Sequence, residues 1–164
     1  MRIEEDDLKG PEIAALLQAH LAHTGRLSPA ESMHALDLEA LRAPEITFWT
    51  AWEDDLLLGC GAVSAFQPGH GEIKSMHTAA AHRGKGVAAG ILSHIVQIAR
   101  QRSYKRLSLE TGSMAAFAPA RRLYAQFGFV PCDPFGTYRE DPCSVFMTLE
   151  LSALKSRHAG KPIR

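Results

Sequence analysis

Nine residues near the middle of the chain, His82-Arg83-Gly84-Lys85-Gly86-Val87-Ala88-Ala89-Gly90, have the types and spacing of an anion site. The segment joins an expected strand, Glu72–Thr78, to an expected amphipathic helix, Val87–Arg102. At a helix N-terminus the first backbone N–H groups lack intrahelical partners and can turn toward a phosphate, and the helix dipole adds positive potential. Gly84 and Gly86 let the main chain approach a ligand closely. Arg83 and Lys85 offer charge-assisted contacts. The chemistry implied is the holding of a phosphorylated cofactor.

Two familiar phosphate loops fit poorly. The Walker A pattern needs Ser or Thr after its lysine, and Lys85 is followed by Gly86. Gly84-Lys85-Gly86-Val87-Ala88-Ala89 does satisfy G-x-G-x-x-A, and Glu110 lies where a ribose-binding acid would belong. Against an NAD(P) site, Ala79–Arg83 separates the first glycine from its strand. Too little chain also follows Glu110 to complete a doubly wound sheet.

The elements that must position the loop follow from periodicity. Ile13, Leu16, Leu17 and Leu21 have helical spacing, with Pro11 at the first turn. Ser28-Pro29-Ala30-Glu31 reads as the capped start of a second helix carrying Met33, Leu36 and Leu41. Ile46–Glu53 and Leu56–Phe66 read as strands joined at Asp54-Asp55. Gln67–Gly71 reads as a turn, so Glu72–Thr78 is expected to pair antiparallel with Leu56–Phe66. Arg106–Glu110 is the next strand, reached through a helix and hence parallel. Ala120, Leu123, Tyr124 and Phe127 share a helical face that Pro119 starts and Gly128 stops. Phe129–Cys132 and Ser144–Leu151 supply a final hairpin-like pair around the polar stretch Asp133–Cys143. The predicted fold is α/β, a mixed and mostly antiparallel sheet with a central βαβ unit.

Composition narrows the functional class. A chain of 164 residues with 46% hydrophobic residues is expected to form one domain, residues 1–151, followed by a basic tail, 152–164, that frays. Eighteen basic residues balance eighteen acidic ones, which argues against a general nucleic-acid binder. No apolar run is long enough to span a bilayer, and the acidic start has no signal-peptide core, so the expected location is cytoplasmic. Cys60, Cys132 and Cys143 form no CxxC pair, and neither a disulfide framework nor a zinc site is expected. His20 and His23 share a helix face and His34 follows on the next helix, but no acidic or thiol partner is spaced to complete a metal site.

A third reading of the loop fits better. Arg83-Gly84-Lys85-Gly86-Val87-Ala88 matches Arg/Gln-x-x-Gly-x-Gly/Ala and resembles the acetyl-CoA pyrophosphate loop of the GNAT superfamily of N-acetyltransferases. Leu123-Tyr124-Ala125-Gln126-Phe127-Gly128-Phe129 is similar to that superfamily's Tyr-x-x-x-Gly-Phe signature. The resemblance spans about Ile46 to Leu151 and includes the order of elements. Glu72–Met76, Leu107–Ser113 and Ser28–Leu38 look like a small bacterial branch. Thr78-Ala79-Ala80-Ala81 departs from the Val-x-Pro common among relatives.

The resemblance implies two neighbouring parallel strands, Glu72–Thr78 and Arg106–Glu110, splayed around acetyl-CoA, with helices on both sheet faces. Pantetheine would lie along backbone at Met76, His77 and Thr78. Pyrophosphate would sit on Arg83, Gly84, Lys85, Gly86, Val87 and Ala88. Ser113, Tyr124 and Phe127 would complete the cofactor site. Tyr124 would be the acid for the departing thiolate, and a backbone N–H near Met76 the oxyanion donor. Glu110 and Glu72 are the candidate bases, with His77 a further one. The 21–36 segment, as a loop, would wall the acceptor site. His34, Tyr138 and Arg139 are the expected substrate contacts, Arg139 suiting a carboxylate and so an amino-acid-like amine. The implied activity is direct acetyl transfer to a small amine, without a metal. The alternatives are a catalytically silent acyl-CoA sensor and, more remotely, an NAD(P)-binding protein. Exposed late strands allow a homodimer.

Overall fold

The computed structural model describes residues 1–27 and 38–151 of the chain, with the side chains of residues 26 and 27 outside that description. The expected helix opening at Ser28-Pro29, with Met33, His34 and Leu36, lies outside the described residues, as does the tail after Leu151. The described elements are β1 (Arg2–Glu5), α1 (Pro11–Leu27), β2 (Ile46–Glu53), β3 (Leu56–Gln67), β4 (His70–Thr78), α2 (Val87–Gln101), β5 (Arg106–Gly112), α3 (Ala118–Gln126), β6 (Val130–Pro131) and β7 (Ser144–Glu150). The sheet order is β1-β2-β3-β4-β5-β7-β6. Among the described strands β4 and β5 form the one parallel pair; every other neighbour is antiparallel.

Strand alternation sends apolar side chains to both sides of this sheet. On one side Val63, Ile73, Leu107, Leu109, Met147 and Leu149 pack against Val87, Ile91, Leu92 and Ile95 of α2 and Tyr124 of α3. On the other, Phe48, Cys60 and Ala62 pack against Ile13, Leu16 and Leu17 of α1. Burial on two faces explains why β3 reads as a continuous apolar run instead of an alternating one.

Several boundaries differ from expectation. β1 was not expected, because its acidic residues mask the one inward side chain, Ile3, which packs on the α2-side core. The turn into β4 is the two-residue Pro68-Gly69, with Gln67 paired to His70 and Gly69 at φ +72°. Residues 21–27, expected in a loop, continue α1. β5 runs past Glu110 to Gly112, because its outer edge keeps pairing with β7 as far as Gly112–Ser144. Glu110 is therefore interior to its strand. The strand expected at Phe129–Cys132 shrinks to Val130-Pro131, since Phe129 donates its N–H to Tyr124 at the end of α3.

Candidate active site

The parallel pair comes apart partway along. β4 and β5 are in register from His70–Arg106 to Ile73–Leu109 and no further, although β4 continues to Thr78 and β5 to Gly112. Residues 74–78 thus face a gap on the β5 side while remaining paired to β3 on the other.

A bulge lies inside that stretch. The β3–β4 register shifts by one residue between Cys60–His77 and Ala62–Lys74, and Ser75 sits at φ +55°. The Cys60 thiol donates to the Ser75 carbonyl at 3.2 Å, and the His77 backbone N–H lies against the same sulfur. Burial pushes this thiol up to about 12, so it stays protonated and able to donate. In a trans peptide the C=O and the next N–H point oppositely. With the Ser75 carbonyl turned to β3, the Met76 N–H is turned toward the gap. Gly61 makes the bend possible: a Cβ there would meet Met76 Sδ at 2.6 Å and Ile91 at 2.8 Å.

Below the gap the chain enters α2 through the glycine loop. Gly84 and Gly86 have φ of +76° and +80°, and Gly86 is the N-cap residue. No side chain caps this helix, and its first intrahelical bond is donated by Gly90 to the Gly86 carbonyl. The amides of Val87, Ala88 and Ala89 are thereby left for a ligand. No protein atom lies within 4 Å of a Cβ built at Gly84 or Gly86. The glycines answer to backbone conformation and approach, not to packing within the protein. Arg83 and Lys85 are exposed beside them.

The residues assigned from the Tyr-x-x-x-Gly-Phe resemblance lie on the α2 side of the sheet. Tyr124 is buried on α3 with its ring against Phe129, and burial raises its pKa. It remains a neutral phenol, which gives a proton instead of taking one. Phe127 is partly buried against the same core. Ser113 is otherwise engaged: its hydroxyl donates to the Pro142 carbonyl at 2.6 Å and its N–H to Cys143. It ties β5 to the 133–143 loop.

The α1 side carries the acid–base groups. Alternation places Glu72 and Lys74 of β4 and Glu110 of β5 on this side, opposite Ile73 and Leu109. Glu72 is buried, pairs with Lys74 Nζ at 3.1 Å and accepts from the Tyr138 hydroxyl at 2.5 Å. Glu110 is raised to about 7, chiefly by burial, then by the charges of Glu72 and Asp141, with Lys74 opposing. Sequence reasoning weighed the two carboxylates alike; the structure separates them. Glu72 is engaged by a cation and a phenol, while Glu110, raised to about 7, titrates near neutrality.

A cavity of about 530 Å³ opens beside them, lined by Phe66, Gln67, Glu72, Lys74, Gly136, Thr137 and Tyr138. Tyr138 lines it as expected. Arg139 is exposed and outside the lining, and His34 lies outside the described residues. Lys74 and Phe66 were missed, although Glu72 and Lys74 two apart on one strand were a legible ion-pair signal.

Histidine 77 points to α1. Its Nδ1 is 3.0 Å from Nδ1 of His20, and His23 packs on its ring and on Phe117. Burial and the neighbouring imidazoles lower both His20 and His77 to about 4. One neutral ring donates to the other, and His77 is too weakly basic at neutral pH to compete with Glu110 as base. Among the described residues no group of three or more His, Cys, Asp or Glu is arranged to hold a metal ion. No helix among them is long and apolar enough to cross a membrane.

A sheet with one parallel pair excludes the doubly wound dinucleotide fold. A splayed strand pair, a bulged strand and a glycine loop capping a helix define instead the acyl-CoA-type acetyltransferase architecture. Residues 13–129 match the model of the Acetyltransferase (GNAT) family, and the chain belongs to that family and is an acetyltransferase. It is 58% identical to the uncharacterised N-acetyltransferase YsnE of Bacillus subtilis, over 92% of this chain and 100% of that one. It is 38% identical to the IAA acetyltransferase of Azospirillum brasilense, over 82% of this chain and 88% of the relative. Among solved structures, one assigned as an acyl-CoA N-acyltransferase of Klebsiella pneumoniae superposes with a TM-score of 0.74 at 28% identity, covering 92% of this chain and 97% of that one. The expected family and fold are borne out.

Proposed function

We propose that the chain moves the acetyl group of acetyl-CoA directly to the primary amine of a small molecule within a ternary complex. The observation that carries this reading is the parting of β4 from β5 after Ile73 and Leu109, with the Met76 N–H turned into the opening. Pantetheine runs along the free edge of β4 at Met76, His77 and Thr78. The diphosphate takes the amides from Gly84 to Ala88, with Arg83 and Lys85 at its flanks.

Chemistry follows from the groups at the opening. The acceptor arrives as an ammonium and must lose a proton before attack. Glu110, raised to about 7, is half ionised there and takes that proton, directly or through water. The amine nitrogen attacks the thioester carbonyl. The Met76 N–H stabilises the oxyanion. The carbon–sulfur bond breaks, Tyr124 supplies a proton to the leaving thiolate, and the surplus proton on the attacking nitrogen returns through water to the Tyr124 phenolate. Glu72, paired with Lys74, is the neighbour whose charge helps to raise Glu110. Residues 1–151 form the catalytic unit.

The test is release of free CoA thiol from acetyl-CoA across a panel of amines. Turnover that collapses in Tyr124→Phe and in Glu110→Gln, with acetyl-CoA binding retained, supports the proposal. Tight CoA binding with no turnover on any amine would establish the sensor reading in its place.

A further inference from the structure

The cavity beside Glu72 says more about the acceptor, on the footing that the chain is the N-acetyltransferase proposed above. We propose that its acceptor is an arylalkylamine: an amine whose ammonium is its only charge, attached to an aromatic body, and without a carboxylate.

The walls argue for the aromatic body. Phe66 and Tyr138 line the cavity, and both rings are braced from behind. Phe66 packs on His70 at 4.5 Å and on Phe135 at 5.8 Å, while Tyr138 packs on Phe135 at 5.2 Å and Phe146 at 5.5 Å. Rings held this way present fixed apolar faces, so a flat ligand need not order them on binding. The volume, about 530 Å³, lies within the range of about 300–1,000 Å³ that holds whole small molecules. It exceeds what an alkylamine of a few carbons fills.

The charges argue for a lone ammonium. Glu72 and Lys74 cancel at 3.1 Å. Glu110 lies in the field of Glu72, Lys74 and Asp141. Lys74 over the Tyr138 ring at 5.8 Å shows that this aromatic face accommodates a cation. A carboxylate fares differently. Lys74 is the one cation among the described lining residues, and it is shared by Glu72 and, at 3.5 Å, by the Tyr138 hydroxyl. An amino-acid carboxylate would have to take Lys74 from a buried Glu72, at the cost of an uncompensated charge. Arg139, the residue suited to a carboxylate, is exposed outside the cavity. On this proposal the acceptor is not the amino-acid-like amine expected from Arg139.

The experiment compares matched acceptors with the full chain and acetyl-CoA. 2-Phenylethylamine, tyramine and tryptamine are set against phenylalanine, tyrosine and tryptophan, with phenylalanine amide and 1-propylamine alongside. At least one arylalkylamine should exceed its parent amino acid tenfold or more in kcat/KM. Phenylalanine amide, which lacks the carboxylate, should recover most of the difference. Phe66→Ala should narrow the preference for arylalkylamines over propylamine at least fivefold, with an unchanged melting temperature as the control for folding. Amino acids matching or exceeding their amines, propylamine matching the arylalkylamines, or faster transfer to IAA than to any of these amines would overturn this assignment and leave acetyl transfer standing. Acetyl-CoA binding with no turnover on any of them would overturn the proposed function as well.

Discussion

The glycine loop and the cavity face are built on opposite principles. The loop is one contiguous stretch, Arg83 to Ala89, that presents main-chain amides left over at a helix start. The cavity face draws on β3, β4, β5 and the 133–143 loop and works through side chains: Phe66, Glu72, Lys74, Glu110 and Tyr138. Backbone sites depend on conformation, which a few local residues dictate. Side-chain sites depend on register, which nothing local dictates. The loop accordingly tolerates change in what surrounds it, and the cavity face does not.

If that contrast is right, the largest single loss comes from the cavity face. Glu110→Gln removes the proposed base, and kcat should fall about 10²–10⁴-fold. KM for acetyl-CoA should hardly move, because the loop is untouched. Steady-state kinetics with both substrates varied separates the two. A variant that loses acetyl-CoA binding to the same degree would place Glu110 in the cofactor site.

The converse variant is Gly86→Ala. A Cβ meets no protein atom there, so any effect comes from holding a non-glycine residue at φ +80°, a cost of about 1–3 kcal/mol. The chain can relieve this strain by reshaping the loop. Acetyl-CoA affinity should then drop by about tenfold, the equivalent of about 1.4 kcal/mol, while kcat at saturation stays close to that of the parent. Isothermal titration with CoA and thermal melting measure the two consequences independently. A lowered melting temperature without loss of affinity would contradict the ligand role of the loop.

The same contrast explains what could be read in advance. Gly84-Lys85-Gly86 announced a helix start with unpaired amides because both follow from a few adjacent residues. The strands from Ile46 to Phe66 were legible because aromatic and aliphatic residues filled them with turns between. Glu72 and Glu110 were visible as carboxylates, but not the difference between them. That difference needs Lys74 and Tyr138 on one and Asp141 near the other, contacts made across strands and a distant loop. Cys60 gave no sign of its role, since a buried thiol is ordinarily only a small hydrophobe. Its contact with Ser75 exists only once the β3–β4 register is set.

Glu72 and Glu110 offer a finer test by pH. The base must be ionised to act, so turnover should rise as pH increases through about 7. Glu72→Gln removes a negative neighbour and leaves Lys74 unopposed. Both changes favour ionised Glu110, so the rising limb should move to lower pH, toward the ordinary carboxylate range. Activity at pH 6 should gain relative to activity at pH 8, even if the absolute rate drops. A limb that stays near 7 would mean that burial alone sets Glu110, or that another group takes the proton.

The smallest effect is expected where α1 meets β4. His20 and His77 are lowered to about 4 from an ordinary 6.5, both chiefly by burial, His20 also by His23, and His77 also by His20, Arg83 and His23. The unfolded chain binds protons to these rings as pH falls through about 6.5, while the folded chain resists until about 4. Stability contributed by the neutral pair is therefore full above about 6.5 and lost progressively between there and about 4. The melting temperature should fall over that window. His20→Gln, which keeps an amide near His77 and removes one titrating ring, should make the fall shallower. Because His20 packs on β4 at His77 and both rings are neutral at pH 7.5, CoA affinity at that pH should be the same in this variant as in the parent. A large loss of CoA affinity in His20→Gln would show that the helix and the loop are coupled, and the two halves of the site would no longer be separable.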